Sequence, residues 1–467
     1  MQYRGLVFLC VVVALFVAGS GEAQSDGYAF TGINFNFTNP GARARGIGGA
    51  FVAIADDSTA ALANPAGLAY LDREISLEWI RDEEVFPVGQ LTQGGVETEI
   101  SGAGISIIPN EDPFRTSATS SLNRLNYGSV LIPLKKNRLT LSLSYGVLAD
   151  LESRFESGDS VVCVGLDGSA SMPGAGDACT LSFLDPEGSP VPVQHFGQSV
   201  TYSMKTEVVG AALGYRLSDR WSLGFEVGLG MTEFNGLAEI DRSSAGLEDR
   251  FELSTGDDED LLYTLGVLYR ADFWGFGLSW RSASKYKIDN TLLDSSGGVV
   301  DEFVPFDGDL TVPERAAVGV AFYPSDSWVV AAEITRIPYS DVLSEMRPFS
   351  GIETGADIRY QIEDVMELHL GAEYTKFTDK RGWSVRGGWW RDQTHLPFVD
   401  EPYEDARNDV DDRVRAVQST VRARFEEDID HFTLGVGLSS GVVRIDAAID
   451  WTDASGTDFL VSGVFYF

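Results

Sequence analysis

Period-two alternation of apolar and polar residues recurs along roughly the last three hundred positions of the chain. Trp221, Leu223, Phe225, Val227, Leu229 and Met231 share one parity, and Ser222, Gly224, Glu226, Gly228, Gly230 and Thr232 the other. Val443, Ile445, Ala447, Ile449 and Trp451 alternate in the same way with Arg444, Asp446, Ala448 and Asp450. So do Phe432, Leu434, Val436 and Leu438, and Leu139, Leu141, Leu143 and Tyr145. Successive side chains of a strand point to opposite faces, so each segment is a strand with one greasy and one polar side.

Soluble sandwiches alternate too, but three features favour a membrane. Beyond residue 72 helical patterns are almost absent, so nothing would cover the apolar faces. The strands are near the ~9–11 residues of a tilted membrane strand. Aromatic residues also flank the tight turns: Trp221, Trp274, Trp328 and Trp383 leave them, and Tyr215, Tyr269, Tyr323 and Tyr374 lead into them. Aromatic rings favour the headgroup level, and this placement reads as an interfacial girdle. No apolar run outside the N-terminus approaches the ~20 residues of a spanning helix.

Short turns fall near Lys136-Asn137, Asp219, Asp272, Ser325-Asp326, Asp379 and Ser440-Gly441. Long polar connections fall at about 151–197, 237–257, 283–310, 339–360 and 392–429. That asymmetry belongs to an outer-membrane barrel with its short turns in the periplasm. Adding one strand at about 73–82 and one over the last ten residues gives an all-β fold, a transmembrane antiparallel β-barrel of about fourteen strands. Residues 98–110 are either a further strand or an extracellular extension.

The expected organisation is a signal peptide at 1–23, an N-terminal plug at 24–71 and the barrel at 72–467. The first segment carries Arg4, an apolar stretch, then Gly21 and Ala23 at the small-residue places of a cleavage site. In an oxidising compartment Cys163 and Cys179 would close a short loop as a disulfide, contributing ~3 kcal/mol on the chain-entropy model. The formal charge of −35, from 70 acidic against 35 basic residues, argues against nucleic-acid binding. Much of the acid is local, at Asp257–Asp260 and over 400–412, and reads as solvated loops or as sites for divalent cations. No metal or cofactor motif emerges.

Between signal peptide and first strand lies a small-residue run without alternation. It includes Gly48, Gly49, Phe51, Asp56, Asp57, Asn64 and Pro65. Asp57 or Ser58 is placed to cap a short helix that Asn64-Pro65 would stop. Small side chains suit packing inside a confined lumen, and a bore of about fourteen strands needs a plug.

This run, Gly48-Gly49-Ala50-Phe51 to Asn64-Pro65-Ala66-Gly67-Leu68, resembles the N-terminal hatch of the FadL/TodX family of outer-membrane transporters for long-chain fatty acids and aromatic hydrocarbons. Val312-Pro313-Glu314-Arg315 with Tyr323-Pro324-Ser325-Asp326-Ser327-Trp328 is similar to a strand-turn-strand of that family, as is Val385-Arg386-Gly387-Gly388-Trp389. The resemblance implies a fourteen-stranded barrel in the bacterial outer membrane, plugged by the hatch and monomeric. Outer-membrane lipids and lipopolysaccharide would surround it. It further implies uptake of a hydrophobic small molecule from an outer apolar pocket, past the hatch and out sideways through the wall. Such a route spares the ligand a water-filled pore, which costs about 0.8 kcal/mol per exposed methylene. A final strand ending in Phe467 looks like the signal read by barrel-assembly machinery.

In the family the wall opening comes from a kink in the third strand. Gly146 is the candidate for that kink, or else a plain lumen-facing glycine. Glu373, Arg386, Arg444 and Asp446 are expected lumen charges, either guiding a carboxylate headgroup or anchoring the plug. Two rival functions stand beside uptake: a partner platform for secreted or surface proteins, and a lipase-type enzyme. Gly437-Leu438-Ser439-Ser440-Gly441 matches G-x-S-x-G, but a nucleophile elbow needs a strand-to-helix turn. We therefore expect no catalysis.

Overall fold

The computed structural model describes residues 39–87, 96–101, 104–109, 117–136, 138–157, 160–164, 170–171, 179–182, 191–195, 197–241, 249–293, 308–342, 360–378, 381–395, 398–399, 428–452 and 456–467. The expected signal peptide, the side chains of Cys163 and Cys179, and the acidic stretch at 400–412 lie outside the described residues.

The first half of the wall is β1 (Glu74–Pro87), β2 (Ser117–Lys135), β3 (Leu139–Ser157), β4 (Gly197–Arg216), β5 (Trp221–Asp241), β6 (Arg250–Arg270) and β7 (Trp274–Arg281). A hairpin of β8 (Ser284–Leu293) and β9 (Gly308–Val312) comes next. The wall resumes with β10 (Arg315–Ser325), β11 (Trp328–Ile337), β12 (Val365–Phe377), β13 (Arg381–Asp392), β14 (Ile429–Ser440), β15 (Val443–Thr452) and β16 (Thr457–Tyr466). Each wall strand pairs antiparallel with the next, and β16 pairs with β1 from Glu74↔Tyr466 to Glu83↔Thr457. Fourteen strands thus close, as the alternation and the short turns require, and closure leaves no free sheet edge.

The greasy parity faces out. On β5 Trp221, Leu223 and Phe225 are exposed while Ser222 and Glu226 are fully buried. On β14 Phe432, Leu434, Val436 and Leu438 are exposed and Thr433 is buried. A polar surface would invert this pattern, so the outer face is matched to lipid rather than water. At the short-turn end the expected aromatics touch one another. Trp221 and Tyr269 have ring centroids 4.8 Å apart, Tyr269 and Trp274 5.0 Å, and Trp328 and Tyr374 4.9 Å. Among the described residues no helix is long and apolar enough to cross a membrane.

Of the two readings of residues 98–110, the extension holds: 96–101 pairs with 104–109, and 104–109 with Cys179–Ser182, none of them with the wall. Two expectations are corrected. The strands run further than the apolar pattern. Residues 237–241 and 250–257, read as connection, continue β5 and β6, and Asp257–Asp260 lies within a strand. There Glu233, Asn235, Asp257 and Glu259 take outward positions, so the outer face turns mostly polar beyond Met231 and Leu261, with Leu237 and Leu253 as exposed exceptions. The second concerns the cap: α2 (Ala60–Ala63) follows Thr59 with no side-chain cap, and the Asp57 carboxylate instead accepts the Thr59 amide at 3.1 Å.

Candidate functional site

Residues 39–71 fold into α1 (Ala42–Gly46), α2 and a 3-10 turn (Pro65–Tyr70), almost all of it buried. Asn64 caps the 3-10 turn by accepting the Ala66 amide at 3.2 Å, and its own amide donates to the Val52 carbonyl at 2.8 Å and the Val267 carbonyl at 3.1 Å. The inward parity of the wall carries glycine where this segment passes. A Cβ at Gly224 would overlap the backbone of Pro65, at Gly277 that of Val52, at Gly371 that of Ile47, and at Gly388 that of Gly48. Segment and wall therefore meet backbone to backbone. Gly48 and Gly49 turn the chain at φ +67° and +78°, a region L side chains rarely enter.

Charges hold the segment where glycine lets it approach. Glu373 on β12 accepts Arg43 Nε at 2.8 Å and Arg386 Nε at 2.5 Å. Arg386 Nη1 lies 2.8 Å from Asp446, Arg444 Nε 2.7 Å from Asp446, and Arg444 Nη2 2.6 Å from Asp57. Arg43 also pairs with Asp56. The chain of ions thus begins and ends in the N-terminal segment and runs through the neighbouring wall strands β12 and β13 and through β15. Asp56, by contrast with Asp57, is partly open to solvent. Unpaired charges in such a place would cost several kcal/mol each, and pairing is what makes their burial tolerable. Burial raises the Asp57 carboxyl, but Arg444 and then Arg43 outweigh it and hold the group below its ordinary value.

Two further attachments were not singled out in the sequence. Glu333 accepts the amides of Phe51 and Val52 at 2.9 and 2.8 Å and the Arg315 guanidinium at 3.0 Å. Asp450 accepts Arg45 Nη1 at 3.1 Å and Trp390 Nε1 at 3.1 Å, with His431 Nδ1 at 3.2 Å. Arg43 and Arg45 carried a signal, two arginines in a run of Gly and Ala. Their wall partners did not, being about three to four hundred residues away. His369 faces inward beside Gly48, with Nδ1 2.8 Å from the Gly48 carbonyl oxygen. Ser439 of the G-x-S-x-G string lies near the end of β14, before a turn into β15, in a strand-to-strand connection.

The wall is uneven above this segment. β2 and β3 pair from Lys135↔Leu139 to Tyr127↔Gly146, then not again until Thr119↔Arg154. Between lie residues 120–126 and 147–153, joined across the gap by Arg124 and Asp150 at 2.8 Å. Each strand bulges there: β1–β2 shifts register past Glu78, around Asn126, and β3–β4 past Thr206, around Leu148. Gly146 to Ala149 are consecutively buried, so alternation fails at this point. Gly146 is the last paired residue below the gap, and a Cβ there would overlap Leu62 of the N-terminal segment. Inside, Leu148, Val208 and Leu262 form a buried apolar cluster.

A closed wall of fourteen antiparallel strands around an inner N-terminal segment is shared with solved barrels. The barrel has the FadL-type fold. A FadL homologue from Pseudomonas aeruginosa superposes with a TM-score of 0.61 at 16% identity, covering 96% of this chain and 100% of its own. The toluene transporter TbuX of Ralstonia pickettii gives 0.52 at 16% identity, over 92% of this chain and 99% of its own. The toluene transporter TodX of P. putida gives 0.52 at 15%, over 92% and 99%. The sequence itself matches no protein-family model and no curated protein. The likeness to FadL-type barrels is therefore one of fold, carried by strand number, order and closure.

Proposed function

We propose that this chain is an outer-membrane uptake channel for hydrophobic small molecules, plugged by residues 39–71. The observation that carries this reading is the coincidence of three features at one level of the barrel. Leu62 of the plug packs against Gly146, the wall ladder stops at Gly146, and the apolar cluster of Leu148, Val208 and Leu262 lies beside the gap. An apolar ligand held there meets a closed path downward and a break sideways into lipid. Leaving by that break avoids exposing its methylenes to water, at about 0.8 kcal/mol each. The solved neighbours that transport toluene have the same fold and support this class of ligand.

In this mechanism the lumen charges are anchors. Glu373, Arg386, Arg444 and Asp446 bind the plug and one another, which leaves them engaged rather than offered to a carboxylate headgroup. Gly146 lets Leu62 seat against the wall, and the bulge at Leu148 turns β3 away from β2.

The test is a cysteine pair across the gap, Arg124→Cys with Asp150→Cys, in cells whose own hydrophobic channels are deleted. Radiolabelled toluene should accumulate through the reduced protein and stop when the pair is oxidised. Uptake indifferent to oxidation of a formed cross-link would exclude this exit.

A further inference from the structure

The wall has a second interruption. β6 pairs with β7 up to Thr264↔Arg281 and with β8 only from Thr255↔Asp289 onward. Between these points residues 256–263 face residues 282–288 without a backbone ladder, apart from the Ser282 amide on the Tyr263 carbonyl at 2.9 Å. Two aspartates fill the space. The Lys285 amide donates to the Asp260 carboxylate at 2.9 Å, and the Lys287 amide to the Asp258 carboxylate at 3.0 Å. Where a ladder would use carbonyls, this seam is closed through side chains.

The neighbouring strand breaks at the same height. β9 ends at Val312 and β10 begins at Arg315, beside the β7–β8 break at residues 282–283. Hence the base of the β8–β9 hairpin meets the barrel at two breaks, while its outer part stays paired with β6 from Thr255↔Asp289 to Phe251↔Leu293. It turns Tyr286 and Leu310, paired in register and both fully buried, into the lumen. On the outer side the apolar parity of β6, Tyr263 and Leu261, gives way to Glu259 and Asp257, so the seam lies at the outer edge of the lipid-facing belt. Behind it stands Leu262, which packs with Val208, which packs with Leu148 at the β2–β3 gap.

We propose that this seam is a lateral inlet, through which apolar molecules dissolved in the outer leaflet reach the lumen without first entering water. It rests on the uptake reading above and adds its missing first step. The Asp258 and Asp260 bridges part, the base of the hairpin swings outward about its ladder with β6 at residues 251–255, and the ligand follows Leu262, Val208 and Leu148 to the exit gap. Side-chain bridges suit such a seam, because they can break without unzipping a strand ladder.

The experiment compares two variants of the full chain, with folding checked by heat-modifiable gel migration and radiolabelled toluene as the probe. The double variant Asp257→Cys/Lys287→Cys joins two exposed positions across the seam; D258A/D260A removes both bridges. With the cysteines oxidised, uptake should fall, and reduction should restore it. D258A/D260A should take up toluene faster than the native chain. Uptake unaltered by a formed cross-link overturns the inlet while leaving the exit gap standing. Should the cysteines fail to join, D258A/D260A decides alone: faster uptake supports the inlet and unchanged uptake overturns it. A native chain that takes up no toluene overturns the uptake reading, and the inlet with it.

Discussion

Arg444, on wall strand β15, places Nη2 2.6 Å from Oδ2 of Asp57 in the N-terminal segment, with both side chains largely buried. The pair closes a chain of ions that starts at Arg43 in the same segment. Cutting it should free the plug without disturbing the wall. Arg444→Ala leaves Asp57 buried and short of a partner, at a cost of about 3 kcal/mol. Planar-bilayer recording should show more frequent open events than the native barrel. A quiet trace from a folded variant would mean that the pair does not hold the plug.

Acid should act on the same contact. Asp57 is held below the ordinary carboxylate value, despite burial, by Arg444 and Arg43. A lowered carboxyl contributes stability in full above its unfolded pKa of about 3.9, and loses it as pH falls through the folded value. The plug should therefore stay seated from neutrality down to about pH 4 and loosen below it. Conductance recorded across that range checks the sign: channel openings should rise on acidification, and Asp57→Asn should flatten the response.

An inward and an outward glycine make a prediction by contrast. A Cβ at Gly388 would overlap Gly48 of the plug, whereas one at Gly463 meets nothing within 4 Å. Gly388→Ala should destabilise the seated plug by roughly 1–3 kcal/mol, the usual range for overpacking. Gly463→Ala should be neutral or slightly stabilising, since glycine weakens a strand interior. Limited proteolysis of the plug in the two folded variants separates them. Equal protection would contradict the close approach.

The barrel was legible because lipid enforces one rule on every strand: greasy outside, small or polar inside. Trp221 to Met231 and Val443 to Trp451 show that rule in sequence alone, and the short turns follow from it. Above the lipid the rule lapses. Glu233, Asn235, Asp257 and Glu259 face outward on continuing strands, so the pattern that marks a strand disappears while the ladder goes on. Strand preference depends on such surroundings rather than on residue type alone. The N-terminal segment was legible as a small-residue run, and Glu373 and Arg386 as lumen charges. Which arginine meets which acid was not, because Arg43–Glu373 and Arg45–Asp450 are set by how the segment threads the closed barrel. The seam at Asp258 and Asp260 was hidden for a related reason. Acids near a strand end look like a loop until their carboxylates are found holding backbone amides.

Ligand passage and ion passage should separate in one preparation. In proteoliposomes bearing the native chain, toluene should cross faster than through protein-free vesicles while potassium chloride conductance stays near background. Deleting residues 24–71 should raise that conductance sharply. Steady salt conductance from the native barrel, with toluene crossing no faster than through lipid alone, would make it an open pore and contradict a plugged channel for apolar solutes.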